Sequence, residues 1–234
     1  MQHTTPISSS CCDIQGNLFL RDQIQTVFLA KNDRQSPQDY AIPPGTTLKE
    51  ECSRAFRIAS ATWTNFCDCL KREDLTEEDR LEKTRQFARS FFVYGLGYGK
   101  VVELDGITID ERCYPVTFLA DNVPVAVVAA PHTLDESRSE LAIKGSTSKK
   151  SAFQLIQEAL NASEDYRWGF AFNGCAVRLV RDAMSLTRPS YLEFNLREIF
   201  ETQDYAEFIH LWLSMHASRA IVKDGYTAWD LWIK

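Results

Sequence analysis

Residues 168–179 read Trp168-Gly-Phe-Ala-Phe-Asn-Gly-Cys-Ala-Val-Arg-Leu179, and this stretch decides the fold class. Asn173-Gly174 is the preferred central pair of a two-residue type I′ turn, so the sequence predicts a β-hairpin with these two residues at its tip. Folding about this turn puts large apolar side chains on one face and leaves a second face that a helix can approach closely. The predicted cross-strand pairs are Phe172 with Cys175, Phe170 with Val177, and Trp168 with Leu179; the second face receives Gly169, Ala171, Ala176 and Arg178.

Strand-like segments lie on both sides of this hairpin. Residues 123–130 are continuously apolar, which is typical of a central strand that is buried on both faces. Residues 100–104, 113–120 and 191–196 add further strands, with turns at Asp105-Gly106 and Asp121-Asn122. The pattern predicts a mixed sheet of about five to six strands.

Helix starts are marked by capping residues. The sequence contains Thr47-x-x-Glu50, Thr76-x-x-Asp79, Ser151-x-x-Gln154 and Asp204-x-x-Glu207. Behind the first of these, an apolar stripe at helical spacing runs from Cys52 to Leu70. The glycines of Gly95-x-Gly97-x-Gly99 follow a helix instead of joining a strand to one, so they indicate a helix end and not a phosphate loop. The chain is therefore predicted to be an α/β (α+β) protein whose mixed sheet is flanked by helices.

We divide the 234 residues into three parts. Residues 1–45 are predicted to be an irregular N-terminal arm, with a short helix possible near residues 21–30. Residues 46–220 are predicted to form a single α/β domain: helical over 46–98, sheet-rich over 99–196, and closed by a terminal helix over 204–218. Residues 221–234 are predicted to be a tail or the start of a further region, in which Trp229 and Trp232 contact something outside the domain.

Composition limits the function classes. The formal net charge is −6, which disfavours strong independent DNA binding. The start of the chain has no signal-peptide pattern and no apolar run is long enough to span a bilayer, so we expect a cytoplasmic protein without a membrane partner. Seven cysteines without regular spacing predict reduced thiols and no metal site.

The region around the hairpin resembles an N-terminal block of large restriction–modification proteins. The residues that carry the resemblance are Asn161-Ala-Ser163, Trp168-Gly169, Asn173-Gly174, Arg178-Leu179, Arg181-Asp182, the run from Ser185 to Phe194, Leu211-Trp212 and His216-Ala-Ser-Arg219. The resembled proteins are type IIG-like adenine-N6 DNA methyltransferases, including the large methyltransferase of the DISARM phage-defence system. The resemblance covers about residues 150–220. In the resembled proteins the methyltransferase core, which binds S-adenosylmethionine, lies downstream of this block. The present chain has neither the glycine-rich cofactor loop nor the Asn-Pro-Pro-Tyr tetrapeptide of that core, so the resemblance implies that the cofactor binds outside it.

Related enzymes often carry an N-terminal PD-(D/E)xK nuclease, in which strand carboxylates hold a divalent metal. The order of helix and strands over residues 77–130 resembles that core. In this alignment, however, Thr117, Ala129 and Pro131 occupy the three catalytic positions. The resemblance thus implies a degenerate nuclease-like core with no catalytic residues. Four carboxylates also flank the predicted strand ends: Glu103, Asp105, Asp110 and Glu111. We interpret them as turn-forming residues, and catalysis is the alternative.

Three arginines near the hairpin are the candidate contact residues. Arg178, Arg181 and Arg188 are expected either to touch DNA phosphate or a partner, or to form ion pairs with Asp182 or Glu193. The first functional hypothesis is a non-catalytic scaffold or docking module of a DNA adenine methyltransferase, which binds DNA weakly alone and contacts the methyltransferase region or other defence subunits. The alternatives are a metal-dependent endonuclease domain and a stand-alone protein-interaction module.

Overall fold

The computed structural model describes residues 9–16, 18–182 and 189–233. The strands are β1 (Cys12–Gln15), β2 (Val101–Glu103), β3 (Ile107–Ile109), β4 (Arg112–Tyr114), β5 (Phe118–Ala120), β6 (Val123–Val127), β7 (Trp168–Phe172), β8 (Ala176–Arg181) and β9 (Tyr191–Asn195). The helices are α1 (Arg21–Phe28), α2 (Leu48–Leu70), α3 (Glu77–Ser90), α4 (Ala152–Ala162), α5 (Leu196–Glu201), α6 (Tyr205–Met215) and α7 (Ala228–Trp232). In the described part of the chain, seven strands form one sheet in the order β1-β9-β8-β7-β6-β5-β2, and β3 pairs with β4 alone.

The predicted helix caps are confirmed. Each capping side chain accepts a hydrogen bond from the backbone N–H three residues later: Thr47 from Glu50, Thr76 from Asp79, Ser151 from Gln154, and Asp204 from Glu207. The glycine-rich stretch also follows a helix as predicted, because α3 continues as a π-helical turn over Phe91–Gly95. None of the helices within residues 9–16, 18–182 and 189–233 is both long and apolar enough to cross a membrane.

The centre of the sheet is β6, whose five residues are all buried, as the apolar run predicts. It pairs antiparallel with β5 and parallel with β7, and the helix α4 makes the crossover between the two parallel strands. The prediction of a close helix approach at Gly169 is confirmed, since a Cβ there would lie 2.8 Å from Ile156 Cγ2 of α4. The mixed sheet flanked by helices is therefore the observed fold class.

The hairpin of β7 and β8 forms, but its predicted register is wrong by two residues. Phe172 lies opposite Val177 instead of Cys175, and four residues separate the paired positions. Gly174 has φ +82°, whereas Asn173 does not have the positive φ that a type I′ turn requires at both central residues. The Asn173 side-chain oxygen instead accepts the N–H groups of Cys175 at 2.9 Å and Ala176 at 2.7 Å, so it caps a wider loop. A shift of two residues keeps every side chain on its predicted face.

The prediction of an irregular arm and a separate tail is also wrong for the described residues. Residues 12–15 form the edge strand β1, paired with β9, and residues 21–28 form α1. Trp229 and Trp232 of α7 are fully buried in the same hydrophobic cluster as residues of the predicted domain. The described residues of both segments cover apolar surface of the predicted domain. Burial of that surface favours packing of the two segments against it.

Candidate functional site

Arg178, the central candidate contact residue, is 3% exposed on β8. Its Nη1 and Nη2 atoms donate to the two carboxylate oxygens of Asp135 at 2.7 and 2.8 Å, and its Nε donates to Glu193 at 2.7 Å. The guanidinium carbon lies 3.8 Å from the ring centroid of Tyr191 and 5.2 Å from that of Phe153. Three of its five N–H donors are therefore bonded to carboxylates of the protein.

The charges around Arg178 perturb one another. Hydrogen bonds from Arg178 hold the pKa of Asp135 below its usual value. Burial raises the pKa of Glu193, and the positive charge of Arg178 opposes that rise. This is the pattern of a structural ion network that ties the segment at residue 135 to the sheet.

The other two candidate arginines do not join Arg178 in one site. Arg181 lies at the far end of β8, where its Nε is 3.2 Å from Asp182 Oδ1 and its guanidinium lies over the Trp168 ring. Arg188 lies outside the described residues. DNA or partner contact by Arg178, Arg181 and Arg188 stays a prediction. The ion pairs of the alternative interpretation are present, Arg178 with Glu193 and Arg181 with Asp182.

The three positions aligned with nuclease catalytic residues lie near the start of β5 and beyond the end of β6. Thr117 is buried, and its hydroxyl accepts the N–H of Val127 at 3.0 Å. Ala129 is buried, whereas Pro131 is exposed. A cleft of about 170 Å³ adjoins Thr117 and is lined by Leu81, Arg85, Glu103, Leu104, Asp105, Pro115, Val116, Thr117, Val127, Glu140 and Leu141.

The carboxylates near this cleft are engaged elsewhere or form turns. Glu103 pairs with Arg89 at 2.9 Å and with Arg85 at 3.7 Å. Asp110 and Glu111 have φ of +46° and +65° in the turn between β3 and β4, consistent with the turn-forming interpretation. Within the described ranges, no group of three or more His, Cys, Asp or Glu side chains is arranged to hold a metal ion.

The motif His216-Ala-Ser-Arg219 anchors neighbouring segments through its last residue. Arg219 is fully buried without a carboxylate in hydrogen-bond contact, and it donates to the backbone carbonyls of Arg34 and Asp39. Its guanidinium carbon lies 3.9 Å from the Tyr40 ring centroid and 5.7 Å from that of Trp232. Arg219 therefore fastens the N-terminal segment and the C-terminal helix to the end of α6.

A further cavity, with a volume of about 810 Å³, was not predicted from the sequence. It lies at the end of the sheet opposite Thr117. Three segments that are remote in sequence build it, so no local motif could have marked it. Its lining comprises Asp121–Val123, Asp165–Trp168, Ala217, Ala220, Ile221, Val222, Gly225, Thr227, Trp229 and Asp230.

Comparison with known proteins adds no relative: no family model, no curated protein and no solved structure matches this chain. The likeness of residues 150–220 to adenine methyltransferase N-terminal blocks therefore stays a prediction. Functional conclusions rest on the geometry of the clefts and on the charges around them.

Proposed function

We propose that this chain is a non-catalytic docking module that works with a DNA adenine methyltransferase in bacterial restriction or phage defence. The observation that carries the proposal is the state of the cleft beside Thr117. Where a nuclease-like core would hold a metal, the Thr117 hydroxyl is occupied by a backbone N–H, and the aligned Ala129 and Pro131 offer no ligand atoms.

The strand order supports a nuclease-like ancestry for this core. A helix, α3, precedes the antiparallel strands β2, β5 and β6; the crossover helix α4 then leads to β7, which is parallel to β6. A core with this arrangement but without carboxylates at the three aligned positions would keep the scaffold and lose the chemistry. The link to methylation rests on the resemblance of residues 150–220.

Charge favours a protein partner over DNA. The chain carries a net charge of −6, and Arg178 is enclosed by Asp135 and Glu193. A negative surface repels phosphate at long range, so we expect non-specific DNA affinity no tighter than about 10⁻⁴–10⁻⁶ M, falling steeply as salt rises.

Two assays and one titration test the proposal. In the first, the chain is incubated with supercoiled plasmid and Mg²⁺ or Mn²⁺; we expect no cleavage. Cleavage that disappears in the Glu103→Gln variant would establish the endonuclease alternative instead. A calorimetric titration with S-adenosylmethionine should likewise give no heat beyond dilution.

In the second assay, the chain is co-expressed with the adenine methyltransferase that carries Asn-Pro-Pro-Tyr and is encoded in the same gene or beside it. We expect a stable complex in size-exclusion chromatography with light scattering, and adenine methylation that depends on the chain. The absence of such a methyltransferase, or of a complex with it, would favour the stand-alone interaction module.

A further inference from the structure

The rim of the 810 Å³ cavity displays two large apolar side chains to solvent. Ile221 is 51% exposed and Val222 is 63% exposed, and both line the cavity. Contiguous exposed apolar surface beside a concavity is one mark of a protein interaction site.

The segment that carries Ile221 and Val222 is held on both sides. Before it, Arg219 is buried and donates to the carbonyls of Arg34 and Asp39. After it, the carbonyls of Lys223 and Tyr226 each accept a hydrogen bond of 2.6 Å from the Arg34 guanidinium. Because the segment is fixed before any partner arrives, little conformational entropy remains to be lost there on binding.

The cavity floor is rigid as well. Asp230 is 5% exposed; it accepts a hydrogen bond of 3.0 Å from the Trp168 indole, and its second oxygen caps α7 through Thr227. Trp168 in turn lies against Trp229 with ring centroids 5.3 Å apart. These aromatic rings support the wall and are too buried to be the contact surface themselves.

Two of the three exposed charged residues in the described lining of the cavity are acidic. These are Asp121 and Asp165, and Arg167 is the basic one. The Asp121 carboxylate is fixed by the N–H groups of Gly99 and Lys100. A phosphate backbone is repelled by such a wall, whereas a lysine or arginine is attracted to it.

We infer that this cavity is the docking site for a segment of a partner protein that carries an apolar side chain next to a lysine or arginine. The apolar side chain covers Ile221 and Val222, and the basic group lies against Asp121 and Asp165. This inference rests on the proposed docking function and names the surface that performs it.

Two synthetic peptides test the site: acetyl-Gly-Arg-Leu-Phe-Arg-Gly-amide and its charge-reversed form with Glu in place of Arg. In ¹H–¹⁵N titrations of the full chain, we expect the basic peptide to shift amides of residues 121–123, 165–168 and 220–222, with about tenfold weaker binding of the acidic peptide. The double variant Ile221→Asp, Val222→Asp should lose this binding. Matched control variants place the same charge on other exposed apolar residues, Leu20→Asp (63% exposed) and Tyr94→Asp (56% exposed), and should bind like the wild type.

Three results would overturn the inference: no saturable shifts at these residues, equal binding of the acidic peptide, or the same shifts produced by a short DNA duplex. The spectrum of each variant also reports whether it is folded. The co-expression assay separates this inference from the proposed function. If the titration is negative and the double variant still assembles with the methyltransferase, the site is refuted but the docking function stands. If the peptide binds at this cavity but no methyltransferase complex forms, the site stands but the proposed function is refuted.

Discussion

Gly174 is the residue on which the central hairpin loop depends. It has φ +82°, and a Cβ at this position would lie 2.6 Å from the Phe66 ring of α2. Glycine therefore adopts a backbone conformation that other residues reach with difficulty, and it allows a close contact between the hairpin and a helix.

We expect Gly174→Val to lower the free energy of unfolding by about 1–3 kcal/mol from backbone strain, with a further loss from the Phe66 clash. Gly145→Val is the matched control, because Gly145 has φ +87° and no atom within 4 Å of a Cβ. Urea denaturation of both variants measures the difference. Equal losses in the two variants would show that the Phe66 contact contributes nothing.

Arg178 stabilises the protein by neutralising the partly buried Glu193. Arg178→Met leaves Glu193, whose side chain is 23% exposed, without its cation. Because the remaining charge then lacks a partner, we expect a loss of about 1–3 kcal/mol in the free energy of unfolding.

Arg181→Met provides the comparison for that variant. Its ion pair with Asp182 is more exposed, so we expect a loss below about 1 kcal/mol. Chemical denaturation at neutral pH and moderate salt distinguishes the two. A neutral Arg178→Met variant would mean that Arg178 is free for an external contact after all.

At the scale of elements, the end of α6 couples folding to pH. His216 follows this helix, beside the Tyr40 and Trp212 rings. Burial, reinforced by the charge of Arg219, lowers the pKa of His216 from 6.5 to about 3.

The folded protein therefore keeps the His216 ring neutral, while the unfolded chain takes up a proton below pH about 6.5. This contribution to stability is complete above pH about 6.5 and is lost as the pH falls toward about 3, by at most about 1.4 kcal/mol per pH unit. We expect His216→Gln to be less stable than the wild type at pH 7 but to lose less stability between pH 7 and pH 5. Denaturation at both pH values measures this, and identical losses would contradict a buried neutral histidine.

At the scale of the whole molecule, the described segments before α2 and after α6 belong to the main core. The Trp232 indole donates to the carbonyl of Asp33, and the Trp229 indole donates to that of Ser214. Arg34 and Arg219 add bonds between the same segments. The C-terminal helix thus completes the fold and does not extend away from it.

We expect a chain shortened to end at residue 220 to lose cooperative folding, because removing buried tryptophans costs about 3–5 kcal/mol each. Thermal unfolding followed by circular dichroism and tryptophan fluorescence measures this. Val222→Ser, which alters an exposed residue of the removed segment, should keep the wild-type melting temperature. An intact transition in the shortened chain would restore the interpretation of residues 221–234 as a tail.

The sequence by itself determined the elements whose signals are local. Thr47 and Glu50 stand three residues apart, so the cap of α2 can be read without knowing any other contact. The faces of β7 and β8 were also predictable, because alternation along a strand survives a two-residue change of register. The apolar run of β6 identified the centre of the sheet, because a strand that is buried on both faces carries apolar side chains at successive positions.

Only the tertiary structure decided the register of the hairpin and the role of its arginines. Asn173 donates to the carbonyl of His132 at 2.8 Å, a contact between residues 41 positions apart that stabilises the wider loop. Arg178 is 3% exposed and forms an ion pair with Asp135, which lies 43 positions away in the sequence. The cavity beside Ile221 likewise brings together segments near residues 121, 165 and 221. Side-chain periodicity records which face of an element is buried, but it does not record which remote groups will lie there to satisfy a charge or a hydrogen bond.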